Sequence, residues 1–229
     1  MNIFKDQIET QFLNLVRKPS RYIGSEVNSI NKPRAGAKLS FALCFPDIYE
    51  IGMSHTGLAI LYDVLNSMEA VAAHRCFTPW IDAAELLRKN KIPLFALESK
   101  EPIRDYDVIG FSLTTELCYT NMLLMLDLAG LELRSKNRKE SDPLVIAGGQ
   151  MANCCEPVAN FVDIFILGEA EETIVEFAKF LMDARQAGKS KSQILLDAGA
   201  KFDWAYVPSL YEFEYDGEKI ASFKSAHAG

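Results

Sequence analysis

The stretch CFPDIYEIGMSHTGLAILYDVLN, residues 44–66, sets Asp47, Glu50, Ser54 and His55 close together, with Gly57 just behind them. An apolar run ends at Cys44 and Phe45, and a helix-like segment opens at residue 56. A histidine at such a strand-to-helix turn can ligate a metal through a ring nitrogen, or accept a backbone N–H and cap the helix. Asp47 and Glu50 could pair as acid and base, but Pro-Asp and Tyr-Glu are also ordinary turn chemistry. Three more loops carry polar groups: Ser112, Thr114, Thr115 and Glu116; Gly148-Gly149-Gln150; and Gly168-Glu169-Ala170-Glu171-Glu172. Hydroxyls at a strand end can bond the polar edge of a ligand. Glycines there remove Cβ atoms and let a bulky planar group approach the backbone. Free N–H groups at a helix start suit an anion or a carboxamide. Acids at 169, 171 and 172 are equally explained by the helix dipole.

The chain has five cysteines, Cys44, Cys76, Cys118, Cys154 and Cys155, with no CxxC and no CxxxCxxC spacing. Cys44, Cys118 and Cys154 fall near the ends of three strand candidates, and three thiolates could hold an iron–sulfur cluster if those loops meet. Against that, Cys44 sits inside an apolar run and Cys118 at helical spacing, where cysteine behaves as a small hydrophobe. An odd cysteine count without a secretory leader points to a reducing cytosol.

Four loops can meet only on one scaffold edge. Residues 39–45 (LSFALCF), 93–99, 107–114, 143–150 and 163–169 read as strands, with 73–79 a short strand or loop. Between them 56–68, 81–91, 116–131 and 171–188 read as helices. Several strands are continuously apolar, as in a parallel sheet covered on both faces. The expected fold is therefore α/β, a doubly wound, mostly parallel sheet of the Rossmann or flavodoxin-like type. In such folds ligands sit beyond the carboxyl ends of the strands, where strand order reverses. The loops after Phe45, Thr114, Gly149 and Gly168 all belong to that edge.

Before the sheet, residues 1–38 read as an amphipathic helix over 2–16 and an extended arm rich in Pro and Gly. After it, residues 189–229 give a short helix and a β-ribbon turning at Asp216-Gly217, expected either to cover a sheet edge or to begin a following part of the protein. The sheet domain itself spans 39–188. A net charge of −7, from 31 acidic and 24 basic side chains, disfavours broad nucleic-acid binding. No apolar run approaches the roughly 20 residues that span a bilayer.

The runs FPDIYEIGMSHTGLAILYDVLN, RCFTPWIDAAELLR, LFALESKEPIRDYDVIGFSLTTELCYTN and IAGGQMANCCEPVANFVDIFILGEAEE resemble the N-terminal region of a family of radical S-adenosylmethionine (SAM) proteins. KPSRYIG and YVPSLY extend the resemblance from about residue 17 to about 211. That family carries a cobalamin-binding-like domain ahead of its catalytic barrel. The resemblance implies that Gly57, Ser112, Thr114, Gly148 and Gly149 make room for a corrin and its nucleotide tail. It implies that Gly168-Glu169-Ala170-Glu171 is the acidic turn common to such domains, and that Arg21 and Tyr22 of the arm fold over the ligand edge. Ser54 and His55 would face the cofactor, with His55 as the candidate cobalt ligand.

One departure bears on that role. Cobalamin domains that ligate cobalt through the protein use Asp-x-His-x-x-Gly, whereas this chain has Ile51-Gly52-Met53-Ser54-His55-Thr56-Gly57. The missing Asp would have fixed the imidazole tautomer and raised its basicity. His55 thus stays open between cobalt ligation and helix capping.

The resemblance gives the expected function: an accessory domain that holds cobalamin (vitamin B12) for a separate C-terminal radical SAM barrel. The alternative is a ligand-free scaffold that docks the barrel and recruits a protein or RNA. The barrel's three-cysteine motif is absent from these residues, so the chain alone is expected not to cleave S-adenosylmethionine. Its iron–sulfur cluster would belong to the barrel of the parent enzyme, and the ending in SAHAG reads as a truncated chain.

Overall fold

All seven residues of LSFALCF are buried, because this strand lies inside the sheet and is covered on both faces. The structure, a computed structural model, describes residues 3–225; Asn2 of the expected first helix and residues 226–229 of the SAHAG ending lie outside the described residues. The chain opens with α1 (Ile3–Ile8), prolonged by a π-helical turn at Glu9–Leu13. The arm then runs irregularly to residue 38, apart from a 3-10 turn at Pro19–Arg21. There follow β1 (Leu39–Phe45), α2 (Tyr49–Met53), α3 (Thr56–Ser67), β2 (Val71–Phe77) and α4 (Ile81–Asn90). Next come β3 (Val108–Ser112), α5 (Cys118–Ala129), β4 (Leu144–Gly148), β5 (Ile164–Ile166) and α6 (Ala170–Gln186). The chain closes with α7 (Lys191–Lys201), β6 (Ala205–Tyr206) and the ribbon of β7 (Tyr211–Asp216) and β8 (Lys219–Ser225).

The six-stranded sheet has the order β2-β1-β3-β4-β5-β6. Its first five strands are parallel and β6 is antiparallel to β5. This is the doubly wound α/β fold expected, in the flavodoxin-like order that reverses between β1 and β3. Strand periodicity divides the core. Leu39, Phe41, Leu43 and Phe45 point to one side, against Leu58 and Leu65 of α3 and Phe177 and Leu181 of α6. Ala42 and Cys44 point to the other, with α4, α5 and the N-terminal Ile8 and Phe12. Burying each phenylalanine contributes about 1.5–3 kcal/mol.

The run 73–79, read as a short strand or loop, belongs to a regular strand that begins two residues earlier, β2, and it is buried throughout. What covers it is the arm together with residues 93–102. Leu97 donates its N–H to the Arg75 carbonyl at 2.6 Å, and Arg75 donates its own N–H to Glu98 Oε2 at 2.7 Å. Lys32 O lies 2.9 Å from His74 Nε2.

The run 93–99, expected as a strand, is a tight buried loop holding a single bridge between Phe95 and Pro102. Ile103 N–H returns to Leu94 O at 3.0 Å, and Lys100 closes the turn in the left-handed region at φ 61°. A short apolar run reads the same whether it lies in a sheet or folds under one. Of the two readings of the ribbon, cover for a sheet edge is not the one found. The ribbon forms its own two-stranded sheet with β8 fully exposed, and the two residues of β6 pair with β5 instead.

Candidate functional site

Where strand order reverses, the carboxyl ends of β1, β3, β4 and β5 and the first turns of α3 and α6 enclose a cleft of about 300 Å³. Its floor is apolar: Leu43, Phe111, Ile146 and Ile166, with Leu61 and Ile174 from the two helices. Its rim is polar: His55, Ser112, Thr114, Gln150, Glu169 and Glu171. An apolar chamber with a few convergent polar groups is the usual form of a small-molecule site. Neither the arm nor any Tyr or Met lines it among the described residues.

Of the residues singled out by sequence, His55, Gly57, Ser112, Thr114, Gly148, Gly149, Gly168 and Glu169 all line this cleft. Ser54 does not. It is exposed and donates its hydroxyl to Ile51 O at 2.8 Å, closing the end of α2. Arg21 and Tyr22 fold over the carboxyl end of β2, where Tyr22 OH accepts the Trp80 N–H at 3.1 Å, and they do not reach the cleft.

The glycines differ in what they are for. Gly149 has φ 99° and ψ −177°, a region essentially reserved for glycine. A Cβ there would stand 2.7 Å from Leu113 O. It lets the β4 end double back, so that Leu113 N–H bonds Gly148 O at 2.8 Å and Met151 N–H bonds Leu113 O at 3.0 Å. Gly168 turns the chain from β5 into α6 at φ 88°. Gly148 and Gly110 have no such need. A Cβ on either would meet nothing closer than 3.5 Å, an ordinary contact. Their missing side chains leave room in the cleft that protein packing does not require. Gly110 went unnoticed in the sequence, although a glycine inside the apolar run VIGFS is itself a mark of close approach.

His55 is the N-cap of α3. Its Nδ1 accepts the Leu58 N–H at 3.1 Å, and its ring lies against Phe45 with centroids 4.8 Å apart. A Cβ on Gly57 would come within 3.0 Å of His55 Cε1, so the glycine leaves the imidazole its place. Burial pushes the His55 pKa below its ordinary value, which keeps the ring neutral at pH 7. The charged groups on the cleft wall are the carboxylates Glu169 and Glu171; no Lys or Arg lines it among the described residues.

Other candidates resolve into structural roles. Glu50 is held by Lys18 and Arg21, and chiefly the Lys18 hydrogen bond lowers its pKa to about 2. Asp47 Oδ1 accepts the Ile48 N–H at 2.7 Å, as a turn residue does. Cys44 is paired in register with Cys76, both buried, while Cys118 lies 3.6 Å from Thr114 Oγ1 and Cys154 is exposed. Among the described residues no group of three or more His, Cys, Asp or Glu side chains could hold a metal ion. Nor is any described helix long and apolar enough to cross a membrane.

No curated protein and no solved structure matches the chain. A family model described as radical SAM proteins, N-terminal, matches residues 57–208, about two thirds of the chain, and takes in the cleft from Gly57 to Ile174. The chain belongs to this family of radical SAM protein N-terminal domains, and is thus an accessory domain of a radical SAM protein.

Proposed function

We propose that the domain holds a corrinoid in the cleft at the β1/β3 switch point, for use by the catalytic radical SAM domain that its family implies. The observation that carries this reading is the apolar-floored, polar-rimmed cleft lined by Gly110 and Gly148, two positions where neither backbone conformation nor a clash requires glycine. Their bare backbone would take the flat face or tail of the group, with the apolar floor beneath it. Ser112, Thr114 and Gln150 would hydrogen-bond its polar periphery, and the turn at Gly168 and Glu169 would close the far wall. A bound corrinoid supplies methyl transfer or another cobalt-centred chemistry of its own. The chain contributes binding and orientation, with one side of the group left open to the partner domain.

Anaerobic titration with hydroxocobalamin, followed by desalting and a visible spectrum, tests the reading. Retained corrinoid is expected, together with its loss in Gly148→Leu at unchanged circular dichroism. A colourless wild-type protein with a native circular dichroism spectrum overturns it. One observation favours a second reading, a scaffold without a ligand. Trp80 and Leu117 stand 42% and 82% exposed in the connections that follow β2 and β3, and Ile81 stands 67% exposed at the start of α4, large apolar side chains that a docked protein would cover. That reading takes over on the colourless outcome.

A further inference from the structure

We infer that His55 serves the cleft as a hydrogen-bond donor and not as a metal ligand, and that its partner on a bound molecule is a neutral acceptor such as a carboxamide oxygen. A neutral imidazole has one N–H and one lone-pair nitrogen. At the start of α3 the lone pair is committed, since Nδ1 accepts the Leu58 N–H at 3.1 Å. The proton therefore sits on Nε2. That nitrogen has no hydrogen-bond partner among the described residues, and the ring lines the cleft.

To ligate a metal through Nε2, the ring would have to carry its proton on Nδ1. Donor would then face donor at Leu58, and α3 would lose its cap. Turning the ring away is resisted by Phe45, whose ring centroid lies 4.8 Å from that of the imidazole. Ligating histidines also hold their second nitrogen as a donor to a carboxylate or carbonyl, the opposite of the arrangement at Leu58.

The rest of the wall sets the ligand class. Ser112, Thr114 and Gln150 are neutral, and Glu169 and Glu171 repel anions, with no basic side chain among the described lining residues to offset them. A phosphate at the Nε2–H would meet this field, and a carboxamide would not. The ligand class rests on the proposed cofactor reading, whereas the tautomer follows from the cap alone.

Two-bond 1H–15N correlations of the imidazole rings at pH 7.5 test the tautomer without any cofactor, the His55 signals being those lost in His55→Asn. The expected pattern is protonated Nε2 with Nδ1 as acceptor; a ring protonated on Nδ1 overturns the proposal. Adding propionamide should then shift the His55 Nε2 signal while inorganic phosphate leaves it in place. A shift with phosphate alone, or with neither probe, overturns the ligand class. In the hydroxocobalamin titration, a nitrogen-ligated cobalt spectrum that disappears in His55→Asn would refute the donor role. A protein that retains no corrinoid refutes the cofactor reading, and the ring correlations still decide this one.

Discussion

At the scale of single residues, two adjacent glycines separate the requirements of the backbone from those of the cleft. The sequence shows only a Gly-Gly pair at a strand end. The structure gives Gly149 a conformation that a Cβ strains and places Leu113 O at 2.7 Å from where that Cβ would lie. Gly149→Ala should therefore cost about 1–3 kcal/mol, the usual range for a side chain forced into such a region. Gly148→Ala meets only Ile166, its carbonyl oxygen at 3.5 Å and its Cβ at 3.7 Å, and should be neutral, or stabilising by about 0.4–1 kcal/mol through the unfolded chain. Urea melts of the two variants check the contrast, and equal losses of stability would remove the distinction on which the cleft argument depends. Such sorting was out of reach from sequence, because backbone angles and neighbour distances are not written in residue types. The apolar floor was equally hidden, since Leu43, Ile146 and Ile166 look like any other residues of a buried strand.

At the scale of elements, sequence signals are strong where the residue pattern is simple. Six apolar residues around the single Ser40 made β1 legible to the residue, and the spacing of Leu58, Tyr62 and Leu65 marked α3. Two short elements were not legible: α2 spans five residues and contains Gly52, and β6 is only the pair Ala205–Tyr206. The cap of α3 carries a consequence for pH. Burial holds the His55 pKa in the folded chain below 6.5, its ordinary value. Between those two values the unfolded chain binds more protons, so stability rises with pH. The contribution is complete above about pH 6.5 and is lost as pH falls through the folded value. His55→Asn keeps a capping side chain but cannot titrate. The stability of wild type relative to this variant should shrink from pH 7.5 to pH 5, as read by urea midpoints. Parallel curves would mean that the ring does not gain its burial and its cap on folding.

At the scale of the whole molecule, alternation of strands and helices revealed the fold class, but strand order and the cover of the open edge emerge only in three dimensions. That cover depends on a buried ionic knot joining distant parts of the chain. Arg75 of β2 bonds Glu98 Oε1 at 2.6 Å, with both side chains almost wholly buried. The Arg75 guanidinium lies over the Tyr62 ring at 4.4 Å and reaches Ser29 Oγ at 3.3 Å in the arm. Lys100 Nζ bonds the arm carbonyl of Ile23 at 2.7 Å, and burial lowers its pKa to about 8. Glu26 Oε2, 3.8 Å from the Arg75 guanidinium, offsets only part of that charge; removing one partner of a buried pair costs up to about 3–5 kcal/mol, whereas replacing both with apolar groups costs less. Glu98→Ala should therefore destabilise the whole domain and expose the arm at 17–38 to limited proteolysis. Arg75→Met combined with Glu98→Leu should recover most of the stability. If the double variant is as unstable as the single one, the knot acts through packing and backbone bonds rather than through charge. If Glu98→Ala leaves the arm protected, the hydrogen bonds of Tyr22 and Lys32 suffice to hold it on the sheet.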